Sequence, residues 1–232
     1  MRGAKVSRTI CVIPARLGSK RLPRKNLRDL GGLPLLARAV RKAFASESFD
    51  EVWVSSEAEI LGELAINEGA KFHRRDDHLG SDSATSEEFI ADFLDQHECD
   101  WVVQLHSIAP LLTVEDIQAF VEETANSKSD AVFSVVGTRL EALMDGVPLN
   151  FSFESKTNSQ ELSPVFEISW AITSWKASTF LEARRVGECA TYAGKHSFVE
   201  IPSVAGHVIK TEWDLQVAEA LLPLARTRGT LE

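Results

Sequence analysis

The stretch Thr9-Ile10-Cys11-Val12-Ile13-Pro14, running directly into Ala15-Arg16-Leu17-Gly18-Ser19-Lys20-Arg21-Leu22-Pro23-Arg24-Lys25-Asn26, decides how this chain is read. Its first part is a short β-branched run closed by proline, the pattern of a buried strand. Its second part is polar and carries glycine, serine and proline, so it reads as a loop. Between Arg16 and Arg28 stand six cations, Arg16, Lys20, Arg21, Arg24, Lys25 and Arg28, and no acid. Gly18 and Ser19 permit a tight turn whose backbone N–H groups converge on an anion. Arg16 adds a fork of donors, while Lys20 and Lys25 add mobile point charges. By itself the loop is either a solvated basic stretch or an anion cradle. It is not a Walker loop, because Gly-x-x-x-x-Gly-Lys-Ser/Thr does not occur.

Outward from this stretch, strands alternate with helices. A helical stripe of Leu35, Leu36, Ala39, Val40 and Ala43 follows Pro34, which is placed to open the helix. Asp50 to Ser55 is the next strand. Glu59 to Glu68 is a helix with Ile60, Leu61, Leu64 and Ala65 on one face and Gly69 as its stop. Phe72 marks a brief extended piece, Ser86 to His97 a helix with Phe89, Ile90, Phe93 and Leu94 inward, and Trp101 to Leu105 a strand. Thr113 caps a further helix whose apolar positions are Ile117, Phe120 and Val121, and Asp130 to Val136 is a strand. This alternation predicts an α/β domain built on a mostly parallel, helix-covered sheet, with its ligand crevice beyond the strands' carboxyl ends. That placement favours the anion cradle over the solvated loop. From 138 to about 168 turn formers and short alternating pieces such as Asn150 to Glu154 predict an antiparallel arm. Regular patterning then returns with Ile168–Ser174, a helix near Ser178–Arg184, a strand at Ser197–Ile201 and a last helix from Glu212 to about Leu224.

Length and composition fit this picture. The 232 residues form one large domain or two small ones, and 44% hydrophobic with 25% charged residues excludes collagen-like, coiled-coil and disordered chains. Twenty-five cations against 34 acids leave a formal charge of −9, which speaks against binding nucleic acid or an anionic membrane. A basic loop in an acidic protein points instead to a small, highly charged anion. No apolar run approaches the roughly 18 residues of a membrane span. The N-terminal residues from Met1 to Arg8 lead into too short an apolar run for a signal-peptide core, so a cytoplasmic location is expected. Cys11, Cys99 and Cys189 are widely spaced and read as reduced core thiols, and the six histidines show no zinc spacing. Trp53, Trp101 and Trp213 read as core or helix-packing residues.

The loop from Ile13 to Asn26 resembles the signature Ile-Pro-Ala-Arg-x-Gly-Ser-Lys-x-x-Pro-x-Lys-Asn of cytidylyltransferases that activate acidic nine-carbon sugars, above all the acylneuraminate cytidylyltransferases, or CMP-sialic acid synthetases. Similarity continues at Leu30–Leu35, Phe49–Glu57, Arg75–Ala84, His106–Leu111 and Val165–Ile172, so that it runs from about Ile10 to Glu219. The resemblance implies a Rossmann-like single nucleotidyltransferase domain over 1–232 and a homodimer formed through the 138–168 arm. It implies attack by a sugar's anomeric hydroxyl on the α-phosphorus of CTP, releasing pyrophosphate. Ala15, Arg16, Ser19, Lys20, Lys25 and Asn26 would hold the triphosphate, with Arg16, Lys20 and Lys25 offsetting charge on the leaving group. Arg75, Asp82 and Ser83 would border the nucleotide, and His106, Glu167 and Ser169 would face the sugar. Glu57 reads as either a substrate contact or an exposed loop acid.

Three departures from the family pattern stand out. Where relatives carry a magnesium-binding Asp-x-Asp before the last helix, this chain has Val208 and Lys210. Neither offers the oxygen donors Mg²⁺ requires, so any Mg²⁺ is expected to arrive on CTP, with no protein-ligated metal. Lys210 then reads as a fourth catalytic cation, as a bystander, or as a sign of lost activity. His106 replaces a sugar-binding Gln, and Ser169-Trp170 replaces Asn-Gly, adding bulk on the sugar side. These departures keep open a catalytically impaired nucleotide- or sugar-binding homologue, and an enzyme acting on a different acidic sugar.

Overall fold

The computed structural model describes residues 7–232; Met1 to Val6, part of the N-terminal stretch weighed against a signal peptide, lie outside the described residues. Along the chain, β1 (Thr9–Pro14) is followed by the basic loop, a two-strand turn of β2 (Asp29–Leu30) and β3 (Leu33–Pro34), and α1 (Leu35–Ala45). Then come β4 (Glu51–Ser56), α2 (Glu59–Asn67), β5 (Lys71–Arg74), α3 (Ser86–Gln96), β6 (Trp101–Leu105), α4 (Val114–Asn126) and β7 (Ala131–Thr138). A small hairpin of β8 (Leu143–Met144) and β9 (Val147–Pro148) precedes β10 (Val165–Lys176), α5 (Ala177–Arg185), β11 (His196–Glu200) and α6 (Glu212–Arg228).

Seven of these strands form one sheet in the order β11-β7-β10-β6-β1-β4-β5. β1 pairs in parallel with both β4 and β6, β4 with β5, and β7 with β11; β10 alone among the sheet's described strands runs antiparallel, between β6 and β7. Ile10, Cys11, Val12 and Ile13 are fully buried, so β1 is covered on both faces, as a continuous apolar run in a parallel sheet should be. Threonines 85, 113 and 211 close capping boxes on α3, α4 and α6 with Glu88, Asp116 and Asp214.

Several expectations need correction. Ile60 is exposed, because Gly62 lets α2 press against the Phe72 ring and turns the buried face toward Leu61, Gly62 and Ala65. The excursion ends at 164 rather than 168: Val165 to Ile168 pair with Thr138 to Val135 and extend the main sheet. Residues 151–154, alternating in sequence, join no sheet. The last helix continues through Pro223 to Arg228, carried by buried Leu222 and Ala225. Trp213 is 70% exposed, since the first turn of α6 buries Leu215 instead. Cys189 is exposed, so only Cys11 is a fully buried core thiol.

Two cations are buried on α1 among its apolar stripe. Arg38 donates to Leu30 O and Leu231 O, and Lys42 donates to the carbonyls of Ala109, Pro110 and Leu112. Burial and neighbouring Arg38 pull Lys42 down to about 7. Lys42 thereby fastens the loop after β6 from behind.

Candidate active site

β1, β4 and β6 deliver their following loops to one edge of the sheet, where the crevice of a parallel α/β sheet opens. A cavity of about 250 Å³ lies there. Of the residues singled out from sequence, Ala15, Arg16, Ser19, Lys25, Asn26, Arg75, Asp82 and His106 line it. Leu79 and Phe89 line it as well and carried no sequence signal beyond an ordinary apolar pattern. Ile108 also reaches it. Lys20 lies outside it, in an adjoining groove. Ser83 lines neither and is exposed, its hydroxyl bonded to that of Ser81.

The loop is held by carboxylate and amide struts. Glu57, half-buried at the end of β4, accepts from Leu17 N at 2.8 Å and from Arg75 Nη2 at 3.1 Å. Glu57 is therefore not an exposed loop acid, because its oxygens brace the loop. Arg75 Nη2 donates also to Ala15 O, and the guanidinium lies 5.0 Å over the Phe89 ring. Its Nε and Nη1 are buried with no protein partner. Such orphaned donors are costly unless something else accepts from them. Asn26 donates to Arg16 O at 2.9 Å and accepts from Ser107 Oγ at 2.7 Å. Its amide therefore ties the basic loop to the β6 loop, leaving one N–H at most for a ligand.

The electrostatics are those of crowded cations. Lys25, half-buried, donates to Ile209 O at 3.1 Å. Burial first, then the Arg21 and Arg16 charges, pull it down to about 8, with Asp214 opposing and Lys210 adding to the depression. An anion beside Lys25 would reverse that shift. His106 is pushed down to about 4 by burial and by Lys25, so its imidazole is neutral at physiological pH. Its Nε2 faces the side-chain amide of Gln104. Asp82 bridges Arg16 at 2.9 Å and Lys20 at 2.5 Å. Lys20 and Arg16 hold its carboxyl below the usual carboxylate range.

Glu167, Ser169 and Lys210 line a second cavity of about 400 Å³, with Val208, His207 and Asp214. The 208–210 segment separates the two. Ile209 N donates to Ile108 O and its carbonyl accepts from Lys25, both residues of the first cavity, while Val208 and Lys210 face the second. Trp170 does not narrow this second cavity. It adopts φ 56° at the register break of β10 and packs on Phe133 and Tyr192, on the other face of the strand.

The donors around 208–210 do not fit a divalent cation. Val208 has none, and Lys210 carries a positive charge. Asp214 Oδ2 already accepts from Lys210 N, Thr211 N and Thr211 Oγ1, and Glu212 is paired with both Nη groups of Arg28. Among the described residues no cluster of three or more His, Cys, Asp or Glu could hold a metal.

Fold and site together define an α/β protein with a cationic loop at the carboxyl edge of a mostly parallel sheet. Residues 10–164 match the model of the family described as cytidylyltransferase, and the chain belongs to that family. It is 37% identical over 126 residues to N-acylneuraminate cytidylyltransferase A of Danio rerio, covering 54% of this chain and 29% of that one. It is 36% identical over 133 residues to pseudaminic acid cytidylyltransferase of Campylobacter jejuni, covering 55% and 57%. The chain thus spans little more than half, or less, of these relatives' lengths. In three dimensions it resembles CMP:2-keto-3-deoxy-manno-octonic acid synthetase complexed with CTP, at TM-score 0.71 and 17% identity, covering 94% of this chain and 99% of that one. A 4-diphosphocytidyl-2C-methyl-D-erythritol synthase from Anaerococcus prevotii superimposes at TM-score 0.68 and 13% identity, with 94% and 99% covered. Both show the shared fold. No described helix is long and apolar enough to cross a membrane.

Proposed function

We propose that this protein transfers CMP from CTP to an acidic, sialic-acid-like nonulosonic sugar and releases pyrophosphate. One observation carries the reading: Arg16, Ser19 and Lys25 of the basic loop share a cavity with Arg75 and His106 at the carboxyl edge of the sheet. Arg16, Lys20 and Lys25 bind the triphosphate and stabilise charge that grows on the departing pyrophosphate, for which positioning and electrostatics supply nearly all of the catalysis. Arg75, which lines the same cavity beside the Phe89 ring, borders the nucleotide. The second cavity, with Glu167, Ser169 and Lys210, is the sugar's place, and it opens beside Lys25 across Ile209. Lys210 there puts an ammonium near the α-phosphate as a fourth cation. His106, neutral, contacts ligand without taking a proton. Mg²⁺ arrives on CTP.

The protein works as a cytoplasmic homodimer in this account. The 138–164 excursion exposes Leu143, Met144, Val147, Leu149 and Phe153, and adjacent Phe166 is half exposed. That is more clustered apolar surface than an isolated excursion leaves in water.

A second reading, a homologue that binds nucleotide or sugar without turnover, is favoured by the lack of carboxylate donors at Val208 and Lys210. Pyrophosphate release from CTP with a panel of nonulosonic acids, in Mg²⁺ and in Mn²⁺, separates the two. Turnover with any acid supports the enzyme and leaves its identity to specify the sugar. Calorimetric CTP binding with no release across the panel favours the binding homologue.

A further inference from the structure

Two of the cations assigned to the triphosphate are already engaged by an anion of the chain itself. Asp82 sets one carboxylate oxygen 2.9 Å from Arg16 Nη1 and the other 2.5 Å from Lys20 Nζ. Arg16 Nη1 donates also to Ser81 O at 2.9 Å, so the segment between β5 and α3 is drawn down onto the basic loop. A carboxylate with each oxygen on a different cation presents what a phosphate would present at the same place.

The cavities agree with this. The first, at about 250 Å³, is smaller than the roughly 300–1,000 Å³ usual for small-molecule sites. A groove of about 590 Å³ lies across the loop, lined by Leu17, Lys20, Pro23 and Arg24. Ser19, Ser81 and Asp82 line both spaces, so they form the wall between them. The Asp82 side chain is still 41% exposed and belongs to no helix or strand, so nothing in the core resists its departure. Withdrawing it frees Lys20, leaves Arg16 its bond to Ser81 O, and joins the cavity to the groove.

We propose that Asp82 is an internal competitor whose carboxylate occupies the Arg16–Lys20 site until a ligand's own polyphosphate displaces it. The proposal rests on the nucleotide reading of the site. A ligand lacking phosphates gains nothing from the displacement, because it leaves two cations unpaired. A triphosphate replaces one carboxylate with several phosphate oxygens. Once pyrophosphate departs, the carboxylate returns to the same cations and opposes rebinding. Asp82 thus lowers affinity for polyphosphate and favours the departure of pyrophosphate.

Calorimetry with CTP and with cytidine, on the full chain and on Asp82→Asn and Asp82→Ser, tests this. Exposed ion pairs are individually weak, so removing two of them should tighten CTP binding about three- to tenfold. Cytidine affinity should not change. A gain confined to CTP in both variants is the expected result. Unchanged or weakened CTP binding by the variants, with the wild type binding CTP, overturns the proposal and leaves the nucleotide reading intact. An equal gain for CTP and cytidine also overturns it, because that reports an opened cavity rather than a displaced charge. CTP binding by neither wild type nor variants overturns the nucleotide reading and the proposal with it.

Discussion

Replacing Lys25 by methionine should strengthen the fold while weakening nucleotide binding. In the folded protein Lys25 is lowered from its ordinary 10.5 to about 8, first by burial and then by Arg21 and Arg16. The folded state therefore binds fewer protons than the unfolded chain between about pH 8 and 10.5, and stability rises with pH across that window. Below pH 8 both states are protonated and the whole cost of holding the charge is present. The shift corresponds to about 3 kcal/mol, and solvent screening of a half-exposed group cuts this substantially. Losing the hydrogen bond to Ile209 O takes back about 1 kcal/mol more. We expect Lys25→Met to gain about 1 kcal/mol in urea denaturation at pH 7, a gain that shrinks as the pH rises past 8. Loss of a charge-assisted contact to phosphate should meanwhile weaken CTP binding by about 1.5–3 kcal/mol in calorimetry. A variant that keeps its CTP affinity and loses stability would refute the reasoning, because Lys25 would then be a structural cation and no phosphate ligand.

Wild-type CTP affinity should be flat below pH 8 and fall by at most about tenfold per pH unit above it, as free Lys25 deprotonates while bound Lys25 does not; calorimetry in matched buffers reads this directly. Glu57→Ala removes the partner of buried Arg75 and of Leu17 N, and should cost about 3 kcal/mol in urea denaturation. Trp170→Ala should cost about 3 kcal/mol of stability without changing the KM for the sugar, since its ring packs on Phe133 and Tyr192 away from the second cavity. Val208→Asp with Lys210→Asp should make turnover depend more steeply on Mg²⁺; loss of activity with no gain in metal dependence would give Lys210 a working role of its own. Phe153→Asp should shift the solution mass toward a monomer, whereas a wild-type protein already monomeric at micromolar concentration would remove the dimer from the account.

The parallel sheet and its ligand edge were legible because local signals agreed. The β-branched run of β1, capping threonines 85, 113 and 211 and the stop at Gly69 each act within a few residues. The basic loop was legible for the same reason, and Arg16, Ser19 and Lys25 do share one cavity. What sequence did not reveal depends on contacts across long separations. Glu57 reaches Leu17 and Arg75, Asn26 reaches Ser107, and Asp82 reaches Arg16 and Lys20, none at a spacing that a periodic pattern records. Arg38 and Lys42 are not legible as buried groups, because the carbonyls that satisfy them, of Leu30 and Leu231 for Arg38 and of the loop after β6 for Lys42, lie beyond the reach of helical spacing. Trp170 adds no bulk on the sugar side because successive strand residues point to opposite faces: Ser169 lines the second cavity, and Trp170 packs with Phe133 and Tyr192 on the other side.

The proposed transfer makes a new bond between the α-phosphorus of CTP and a sugar oxygen, and phosphorus NMR of the reaction mixture observes it most directly. With CTP, Mg²⁺ and the cognate nonulosonic acid, the account predicts that CTP signals give way to a single phosphodiester resonance and free pyrophosphate in equal amounts. The same mixture with Lys25→Met should convert far more slowly at limiting CTP. CTP signals that persist unchanged across a full panel of acidic sugars, in a protein shown by calorimetry to bind CTP, would contradict it.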